Sequence, residues 1–367
     1  MPATQVKKVA FLKKSMRVNN MFGKDKNLIG IDLGSSSIKI VELKKIQKTY
    51  QLKAAMIGEL PEDVIVEGKV IDFTAVVDVL KDTVKNAALS HKNVISALKG
   101  YDVISKRVDL DVDDSSNFDE TFRWEANQYV DFDVNTMNID FQRCDKDEAT
   151  GKTPVILAVA KKDLINDIKF VFDSANLRLS LIDVEVFALA NLFVHNYEEF
   201  AKSAIIMDIG FERVHMIFID NSIYRFSFDV DMGIKNCIEL LKQMYDINYD
   251  EALNILMEKE TLVKNETNIG TINQFYDRLS QTAANIVKSV QKEGDKVYEN
   301  CFICGGGAYL PGVEGALSTA LNLEVKYFNP FNKIDVDKFN DKAFIEKNLY
   351  RLNIAVGLAL RNMGDAK

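Results

Sequence analysis

A short apolar run that ends in Asp-x-Gly occurs twice in this chain, and the two aspartates, Asp32 and Asp208, lie 176 residues apart. Each run, over 28–34 and 204–210, leads through a tight turn into a second β-like run. An apolar strand, a turn and a returning strand predict a β-hairpin with the aspartate at the end of its first strand. Because the repeat spans about half of the 367 residues, it predicts two related lobes rather than two unrelated domains.

Helical spacing follows each hairpin, over 74–90 in the first half and 275–290 in the second. The segment between the halves mixes strand-like and helical patterns. We therefore predict an α/β fold of two lobes, with a small α+β subdomain inserted in the first. The predicted limits are 1–26 for a basic leader, 27–100 and 176–200 with a C-terminal helix at 351–366 for the first lobe, 101–175 for the insert and 201–350 for the second lobe. Within the insert, strands are predicted over 103–110, 139–142 and 154–160, and helices over 118–129 and 161–175.

Charge is distributed unevenly along the chain. Residues 1–26 hold seven basic residues and one acidic residue, whereas the whole chain has a net charge of −8, so the remaining body is strongly acidic. An acidic body repels phosphate backbones, which disfavours nucleic acid as a partner. The leader is predicted to be a solvated, disordered arm, with contact to anionic lipid as the alternative.

Apolar runs in this chain are short. None approaches the roughly 18 residues that a membrane-spanning helix needs. The apolar stretches of the leader are also too short for a secretory signal peptide. Both observations predict a cytoplasmic protein whose four cysteines are free thiols. The lone pair Cys301-x-x-Cys304 lacks a second pair of zinc ligands, so two core thiols are predicted there.

The turn of the first hairpin has the residue types that hold a triphosphate. Gly34 allows a tight turn in which backbone amides approach phosphate oxygens. The three serines that follow add hydroxyl donors, Lys39 adds a positive charge, and Asp32 can hold Mg²⁺ directly or through water. The predicted phosphate site therefore consists of Asp32, Gly34, Ser35, Ser36, Ser37 and Lys39, and the alternative for this segment taken alone is a plain hairpin.

A second glycine-rich element follows a strand-like run late in the chain. Gly305, Gly306 and Gly307 are succeeded by Ala308 and by the amphipathic segment 313–321. Three successive glycines cost chain entropy. That cost is explained if a flat base or ribose must lie against the backbone, and the alternative is an ordinary mobile loop.

Two Asp-x-Gly hairpins and one late Gly-Gly-Gly-Ala, in this order, resemble the actin, Hsp70 and hexokinase superfamily. Its five motifs correspond to 30–41 (phosphate 1), 183–188 (connect 1), 205–220 (phosphate 2), 303–312 (adenosine) and 354–359 (connect 2). The resemblance implies an actin-like fold of two RNase-H-like lobes that binds ATP and Mg²⁺ in a cleft. It also implies that Gly210 and Gly233 bind nucleotide, that Asp208 is a second Mg²⁺ ligand, and that Glu185 is the catalytic residue.

A narrower set of motifs resembles one branch, the PilM family of type IV pilus assembly proteins. The similar segments run from about 21 to 362 and include Trp-Glu-Ala-Asn-Gln-Tyr at 124–129, Asn-Pro-Phe at 329–331 and Ala-Val-Gly-Leu-Ala-Leu-Arg at 355–361. This resemblance implies a scaffold that takes the N-terminal cytoplasmic peptide of the membrane protein PilN into a groove between the first lobe and its insert. It further implies contact with the pilus motor ATPases and a peripheral position at the inner membrane. The alternatives are an FtsA-like polymerising division protein and an active small-molecule kinase of the same fold.

Two departures from the superfamily motifs concern ATP hydrolysis. Phe211-Glu212-Arg213 follows the second hairpin where a small residue and a Ser or Thr are usual, although Arg213 could supply a cation. Val186 stands where chaperones and bacterial actins have a proline after the glutamate that orients the attacking water. Nucleotide binding with slow or absent turnover is therefore predicted.

Overall fold

The computed structural model describes residues 28–110, 136–144, 146, 151–257, 266–294 and 297–361. The leader, the predicted helix at 118–129 and the motif at 124–129 lie outside the described residues. The chain divides into two compact units. Unit 1 comprises Met1–Asn191 and Ile354–Lys367, and unit 2 comprises Leu192–Asn353.

Unit 1 contains the first hairpin and the strands predicted for the insert. Its elements are β1 (Ile29–Leu33), β2 (Ser37–Ile46), β3 (Thr49–Glu59), β4 (Ile65–Val66), β5 (Lys69–Val70), α1 (Phe73–Ala87), β6 (Asn93–Leu98), β7 (Val103–Leu110), β8 (Met137–Arg143), β9 (Thr153–Lys161), α2 (Lys162–Ser174), β10 (Arg178–Val184) and α3 (Glu185–Asn196), in which the chain passes into unit 2.

The strands around the first hairpin lie in the order β10-β6-β1-β2-β3. β1 pairs antiparallel with β2, as the hairpin pattern predicts, and parallel with β6, which is itself parallel to β10. All five residues of β1 are buried, which explains its uninterrupted apolar character. The apolar faces of α1 and α2 pack in the same core as β1.

Three further strands of unit 1 form a separate antiparallel sheet in the order β7-β9-β8. Their bounds agree to within a few residues with the strands predicted over 103–110, 139–142 and 154–160. Apolar side chains of this sheet, such as Val108, Met137 and Leu157, form a small core of their own. Among the described strands, β7 and β8 lie at the two edges of this sheet.

Unit 2 contains the second hairpin and the glycine-rich element. Its elements are β11 (Ser203–Ile209), β12 (Val214–Asp220), β13 (Ile223–Val230), α4 (Ile234–Tyr245), α5 (Tyr249–Met257), α6 (Glu266–Gly294), β14 (Asn300–Cys304), a 3₁₀ helix (Gly306–Tyr309), α7 (Val313–Leu321), β15 (Glu324–Tyr327), β16 (Ile334–Asp335), α8 (Lys342–Asn348), a second 3₁₀ helix (Leu349–Arg351) and α9 (Asn353–Ala359), in which the chain returns to unit 1.

The sheet of unit 2 has the strand order β13-β12-β11-β14-β15. β11, β12 and β13 form an antiparallel meander, whereas β11, β14 and β15 run parallel. In both units, the first strand of a hairpin also pairs in parallel with a later strand, as β1 does with β6 and β11 does with β14. This shared topology confirms the predicted duplication. Among the described helices, none combines the length and the apolar character needed to cross a membrane.

Candidate functional site

The turn of the first hairpin is built as the sequence predicts. The amide of Gly34 donates to the carbonyl of Ser37 at 3.0 Å, and Asp32 lies opposite Lys39 in the β1–β2 register. A Cβ at position 34 would lie 2.5 Å from the Lys39 ammonium nitrogen and 2.9 Å from the Ser37 carbonyl oxygen. Only glycine therefore leaves room for this lysine to fold back over the turn.

Asp32 is buried and forms ion pairs with two lysines. Its Oδ2 lies 3.2 Å from Lys39 Nζ, and its Oδ1 lies 2.8 Å from Lys99 Nζ. Burial alone would raise the pKa of Asp32, but the two ammonium groups outweigh burial and hold this pKa at about 2. The carboxylate is therefore ionised at any physiological pH.

Sequence reasoning did not identify Lys99, although it joins the two carboxylates of this cluster. It follows β6 directly and precedes Gly100, which has a φ of +91°. Because β6 runs parallel to β1, with Ile31 opposite Ser96, the carboxyl ends of both strands meet at one edge. The available signal was a Lys-Gly pair directly after an apolar strand.

Glu185, the predicted catalytic residue, is the first residue of α3 and is 3% exposed. Its Oε2 lies 3.6 Å from Lys99 Nζ. Unit 1 thus brings together Asp32, Lys39, Lys99 and Glu185 in one cluster whose formal charges balance. The catalytic role of Glu185 stays a prediction.

The second hairpin places a buried aspartate at the end of β11. The amide of Gly210 donates to the Arg213 carbonyl at 2.9 Å and closes the turn. Cys304 Sγ donates to Asp208 Oδ1 at 3.7 Å. Burial, reinforced by the nearby Asp208 carboxylate, raises the pKa of Cys304 well above its usual value. This thiol is therefore a neutral donor.

Arg213 lies beside acidic side chains. This arginine is almost fully buried, and its guanidinium lies 3.5 Å from Asp229 and 3.7 Å from Asp231. His215 also bonds Asp229, with its Nδ1 2.8 Å from Oδ1. An interaction of the Arg213 guanidinium with a nucleotide phosphate would therefore compete with the ion pairs to Asp229 and Asp231.

Packing on β11 accounts for two glycines of the triplet. Gly305 has a φ of +83°, and a Cβ there would overlap Asp208 Oδ1. A Cβ on Gly307 would overlap the Ile209 side chain. A Cβ on Gly306, in contrast, would meet only the Ile234 methyl, at 2.9 Å. Packing in the fold therefore requires glycine at positions 305 and 307, whether or not a ligand binds.

The remaining nucleotide-binding predictions in unit 2 lie near the same turns. Gly233 is the N-cap of α4, and a Cβ there would overlap the Phe211 carbonyl oxygen. Ala308 is buried in the 3₁₀ helix that follows Gly305. Unit 2 therefore places Asp208, Gly210, Gly233 and the segment 305–308 at neighbouring turns of its sheet.

The donor set of unit 1 fits a phosphate group. The ammonium groups of Lys39 and Lys99 lie beside Asp32 at this turn, and such groups bind phosphate oxygens. In the described part of the chain, no three His, Cys, Asp or Glu side chains converge into a metal site. Since Mg²⁺ takes one or two carboxylates together with phosphate oxygens and water, Asp32 suits this ion only when phosphate is also bound.

Unit 1 has a second feature, an apolar surface at the base of the β7-β9-β8 sheet. We call it the junction surface and define it by Ile71, Phe73, Tyr101 and Phe170. Ile71 is 63% exposed and Phe170 is 57% exposed, and the Phe73 and Phe170 rings meet edge to face at 5.5 Å. A narrow pocket in the same region is lined by Leu33, Ile65, Gly68, Val70, Ala97, Leu98, Lys99, Leu164 and Ile168.

Ion pairs tie the β4–β5 hairpin to both strands at the base of this sheet. Asp102, directly before β7, forms pairs with Lys69 at 2.8 Å and with Lys161, the last residue of β9. Burial opposes ionisation of Asp102, but hydrogen bonds to both lysines lower its pKa. The hairpin, the sheet and α2 therefore meet at a defined junction.

Comparison with solved structures gives the class of protein. EutJ, an ethanolamine utilization protein from Carboxydothermus hydrogenoformans, is 17% identical with a TM-score of 0.55, over 94% of this chain and 92% of that chain. MreB5 of Spiroplasma citri, solved bound to AMPPNP, is 10% identical with a TM-score of 0.51, over 92% and 96%. The chain therefore has the fold of the actin-like ATPases, as predicted.

The family follows from two further matches. The family model of the type IV pilus assembly protein PilM matches residues 30–363, so this chain belongs to the PilM family. A solved structure of a PilM–PilN type IV pilus biogenesis complex matches with a TM-score of 0.81 at 21% identity, over 92% of this chain and 98% of that chain. Family membership confirms the predicted resemblance and favours pilus assembly over a division protein or a small-molecule kinase.

Proposed function

We propose that this chain is a cytoplasmic scaffold of type IV pilus assembly that captures the N-terminal cytoplasmic peptide of PilN and binds ATP with Mg²⁺. Through that peptide it lies peripherally at the inner membrane and connects the membrane components to the pilus motor ATPases. The similar solved structure contains a PilM together with PilN, which supports the choice of partner. The observation that carries the proposal is the exposed junction surface of unit 1.

The junction surface suits an extended peptide. Its exposed apolar side chains are anchors of the kind that peptide grooves use, and exposed apolar patches mark interaction sites. Among the described strands, β7 and β8 lie at the edges of the adjoining sheet, so an extended segment can pair with backbone groups there. The peptide therefore binds by strand addition and by apolar anchoring.

The nucleotide part of the proposal depends on the charges around the first hairpin. Lys39 and Lys99 bring two positive charges to Gly34 and the serines of the turn, where ATP phosphates bind. Asp32 then binds Mg²⁺, and Asp208 is the carboxylate at the corresponding position of the second hairpin, in unit 2. Bound Mg²⁺ would neutralise phosphate charge, while the lysines orient the phosphates by direct pairing.

A binding titration tests the peptide proposal. A labelled peptide with the sequence of the N-terminal cytoplasmic segment of PilN is titrated with the full-length protein and followed by fluorescence anisotropy. Ile71→Ser and Phe170→Ser should weaken binding at least about tenfold, because an anchor contributes more than about 1.4 kcal/mol to an interface. Both side chains are exposed, so both variants should fold.

The matched control is Phe228→Ser, which removes a similarly exposed aromatic side chain from β13 in unit 2. It should bind the peptide like the wild type. If the wild type does not bind the peptide, or if the two junction variants bind it unchanged, the proposal is wrong. Recovery of PilN from membranes with the wild type, but not with Ile71→Ser, would support it independently.

A further inference from the structure

The hairpin formed by β2 and β3 in unit 1 ends in a run of exposed residues that is rich in lysine. All residues of the segment 44–49 are exposed, and Lys44, Lys45 and Lys48 are among them. The longer stretch 43–58 contains no acidic residue. In the described part of the chain, no side chain forms an ion pair with any of these three ammonium groups. We call the segment 44–49 the basic tip, and its positive charge is open to solvent.

The basic tip projects beyond the other strands of its sheet. The register of β1 with β2 ends at Val41, and beyond this residue β2 pairs only with β3 among the described strands. From Val41 to Ile46, β2 covers about 17 Å. The Thr49 hydroxyl donates to the Ile46 carbonyl at 3.1 Å and fixes the turn. Because the Debye length at physiological salt is about 8 Å, the acidic charge of the body is largely screened at the tip.

Further basic residues lie at the same edge of the sheet. Because β2 is antiparallel to β1, the end of β2 lies beside the amino ends of β1, β6 and β10. Lys92 directly precedes β6 and Arg178 begins β10, and both side chains are exposed. The chain also enters β1 at this edge, directly after the leader with its seven basic residues. Asp32 and Lys99 lie at the opposite edge, so this surface is separate from the candidate phosphate site.

The side chains of the basic tip indicate the chemistry of its partner. Ile46 is 37% exposed and lies between the lysines, and the half-buried Tyr50 lies opposite Lys45 in the β2–β3 register. Lysine ammonium groups are point charges on flexible stems and suit a diffuse negative surface. Apolar and aromatic side chains among lysines lie at the boundary between lipid headgroups and acyl chains. An anionic bilayer therefore accounts for the charge and for Ile46, whereas an acidic protein segment accounts for the charge alone.

We propose that the basic tip is a membrane-contact surface that binds anionic phospholipid headgroups, with Ile46 entering the interface between headgroups and acyl chains. This inference goes beyond the proposed function, in which PilN alone holds the chain at the membrane. A direct lipid contact adds a second attachment, and two weak attachments to one surface reinforce each other. The three lysines together should raise the affinity for an anionic bilayer about 100-fold.

Vesicle flotation of the full-length protein tests this proposal. One set of vesicles contains equal parts of phosphatidylglycerol and phosphatidylcholine, and the other contains phosphatidylcholine alone. The wild type should float with the anionic vesicles only, and 1 M salt should release it. The triple variant Lys44→Gln, Lys45→Gln and Lys48→Gln should bind the anionic vesicles about 100-fold more weakly. Ile46→Ser should weaken binding about 2- to 5-fold, because less apolar surface enters the interface.

A matched control removes the same charge elsewhere. The triple variant Lys202→Gln, Lys338→Gln and Lys347→Gln changes three exposed lysines of unit 2 and should float like the wild type. All the substituted lysines are exposed, so both triple variants should fold, and thermal unfolding curves check this. If the tip variant does not fold, the single change Lys48→Glu in the turn replaces it in the same comparison.

Several outcomes would overturn the proposal. A wild type that does not float with anionic vesicles, or that floats equally with phosphatidylcholine alone, shows that the tip is not an anionic-lipid surface. A folded tip variant that floats like the wild type assigns lipid binding to another part of the chain, such as the leader. Binding of polyglutamate, but not of anionic vesicles, would make the tip a docking surface for an acidic protein. Because these vesicles contain no PilN and no nucleotide, failure of the proposed function leaves the result of this test unaffected.

Discussion

Lys99 is the residue on which the charge balance of unit 1 depends. It lies within 2.8 Å of Asp32 and 3.6 Å of Glu185, and its side chain is only partly exposed. Without this ammonium group, one of the two cations proposed for ATP phosphates is lost. Asp32 then keeps its pair with Lys39, and Glu185 loses its pair with Lys99. We therefore predict that Lys99→Met weakens ATP binding at least about tenfold, in line with the energy of a charge-assisted hydrogen bond.

Lys53→Met is the matched control for Lys99→Met. Lys53 also pairs with a buried carboxylate of unit 1, that of Glu42 at 2.9 Å, but it lies on β3, away from the hairpin turn. Isothermal titration with ATP should give the wild-type affinity for this variant. Equal ATP affinities for Lys99→Met and the wild type would contradict the role of Lys99.

Asp32 gives a prediction for pH. Its pKa in the folded protein is about 2, below the usual 3.8, because the lysine ammonium groups outweigh burial. The stabilisation that its ionised form provides is present above about pH 4 and is lost as the pH falls towards 2. The difference in free energy of unfolding between the wild type and Asp32→Asn should therefore be constant above pH 4 and shrink below it.

Urea unfolding of both proteins at several pH values measures this difference. Comparing the two proteins removes the contribution of other carboxylates with lowered pKa values, such as Glu42 and Asp102. A difference that does not change between pH 4 and the lowest pH at which the wild type folds would contradict the proposed pairing.

Local and distant contacts explain which site residues the sequence could predict. Asp32, Gly34 and Lys39 belong to one hairpin, so their proximity follows from the turn alone. Lys99 lies 67 residues from Asp32, and the parallel register of β6 with β1 brings them together. That register depends on tertiary packing, which a hydrophobic pattern does not contain.

At the scale of elements, two glycines of the turn after β14, Gly305 and Gly306, are predicted to differ in their effect on the stability of unit 2. Gly305→Ala should destabilise unit 2 by about 1–3 kcal/mol or more, because a side chain at φ +83° is strained and would also overlap Asp208. Gly306→Ala meets only a flexible methyl group and should change stability by less than about 1 kcal/mol.

Chemical denaturation of both glycine variants measures these effects, with the wild type as reference. If Gly306→Ala keeps its stability but loses ATP affinity, the backbone at Gly306 is approached by the nucleotide. Equal destabilisation by the two substitutions would contradict the assignment of a packing role to Gly305 alone, with only a flexible methyl group to move at Gly306.

Element bounds were largely predictable, whereas the roles of some motifs were not. β7 to β9 are strands of uninterrupted or alternating apolar pattern, so their positions followed from sequence. The Asn-Pro-Phe motif at 329–331 serves the fold of unit 2, since Asn196 donates to the Pro330 carbonyl at 2.7 Å. These partners lie 134 residues apart, so no local pattern indicates the contact.

For the whole molecule, we predict slow hydrolysis of ATP from the surroundings of Glu185. Its carboxylate lies near Lys99 and is almost fully buried, and Val186 follows it in place of proline. A carboxylate held by an ammonium group is a weak base for activating water. We predict steady-state phosphate release below about one per minute, well under the usual range of enzyme turnover. A faster rate that Glu185→Gln abolishes would contradict this prediction.

The two proposed activities of unit 1 share residues, which predicts that they are coupled. Leu33 and Lys99 are among the residues that line the pocket near the junction surface. Leu33 follows Asp32 in the chain, and Lys99 forms an ion pair with Asp32. A peptide that moves either residue changes the affinity of the phosphate site for ATP. By thermodynamic linkage, ATP then changes the affinity for the peptide by the same factor. We expect ATP to change the affinity for the PilN peptide at least about fivefold, the lower end of typical coupling.

Titration of the peptide with and without ATP, in the wild type and in Asp32→Ala, measures this coupling. The wild type should show two different affinities, and Asp32→Ala should show one, because its phosphate site has lost the carboxylate that positions both lysines. Ile71→Ser supplies the converse control, since it should bind ATP normally while losing the peptide. If the wild type and Asp32→Ala bind the peptide with the same affinity in the presence of ATP, the two sites are independent, and the shared pocket wall has no regulatory consequence.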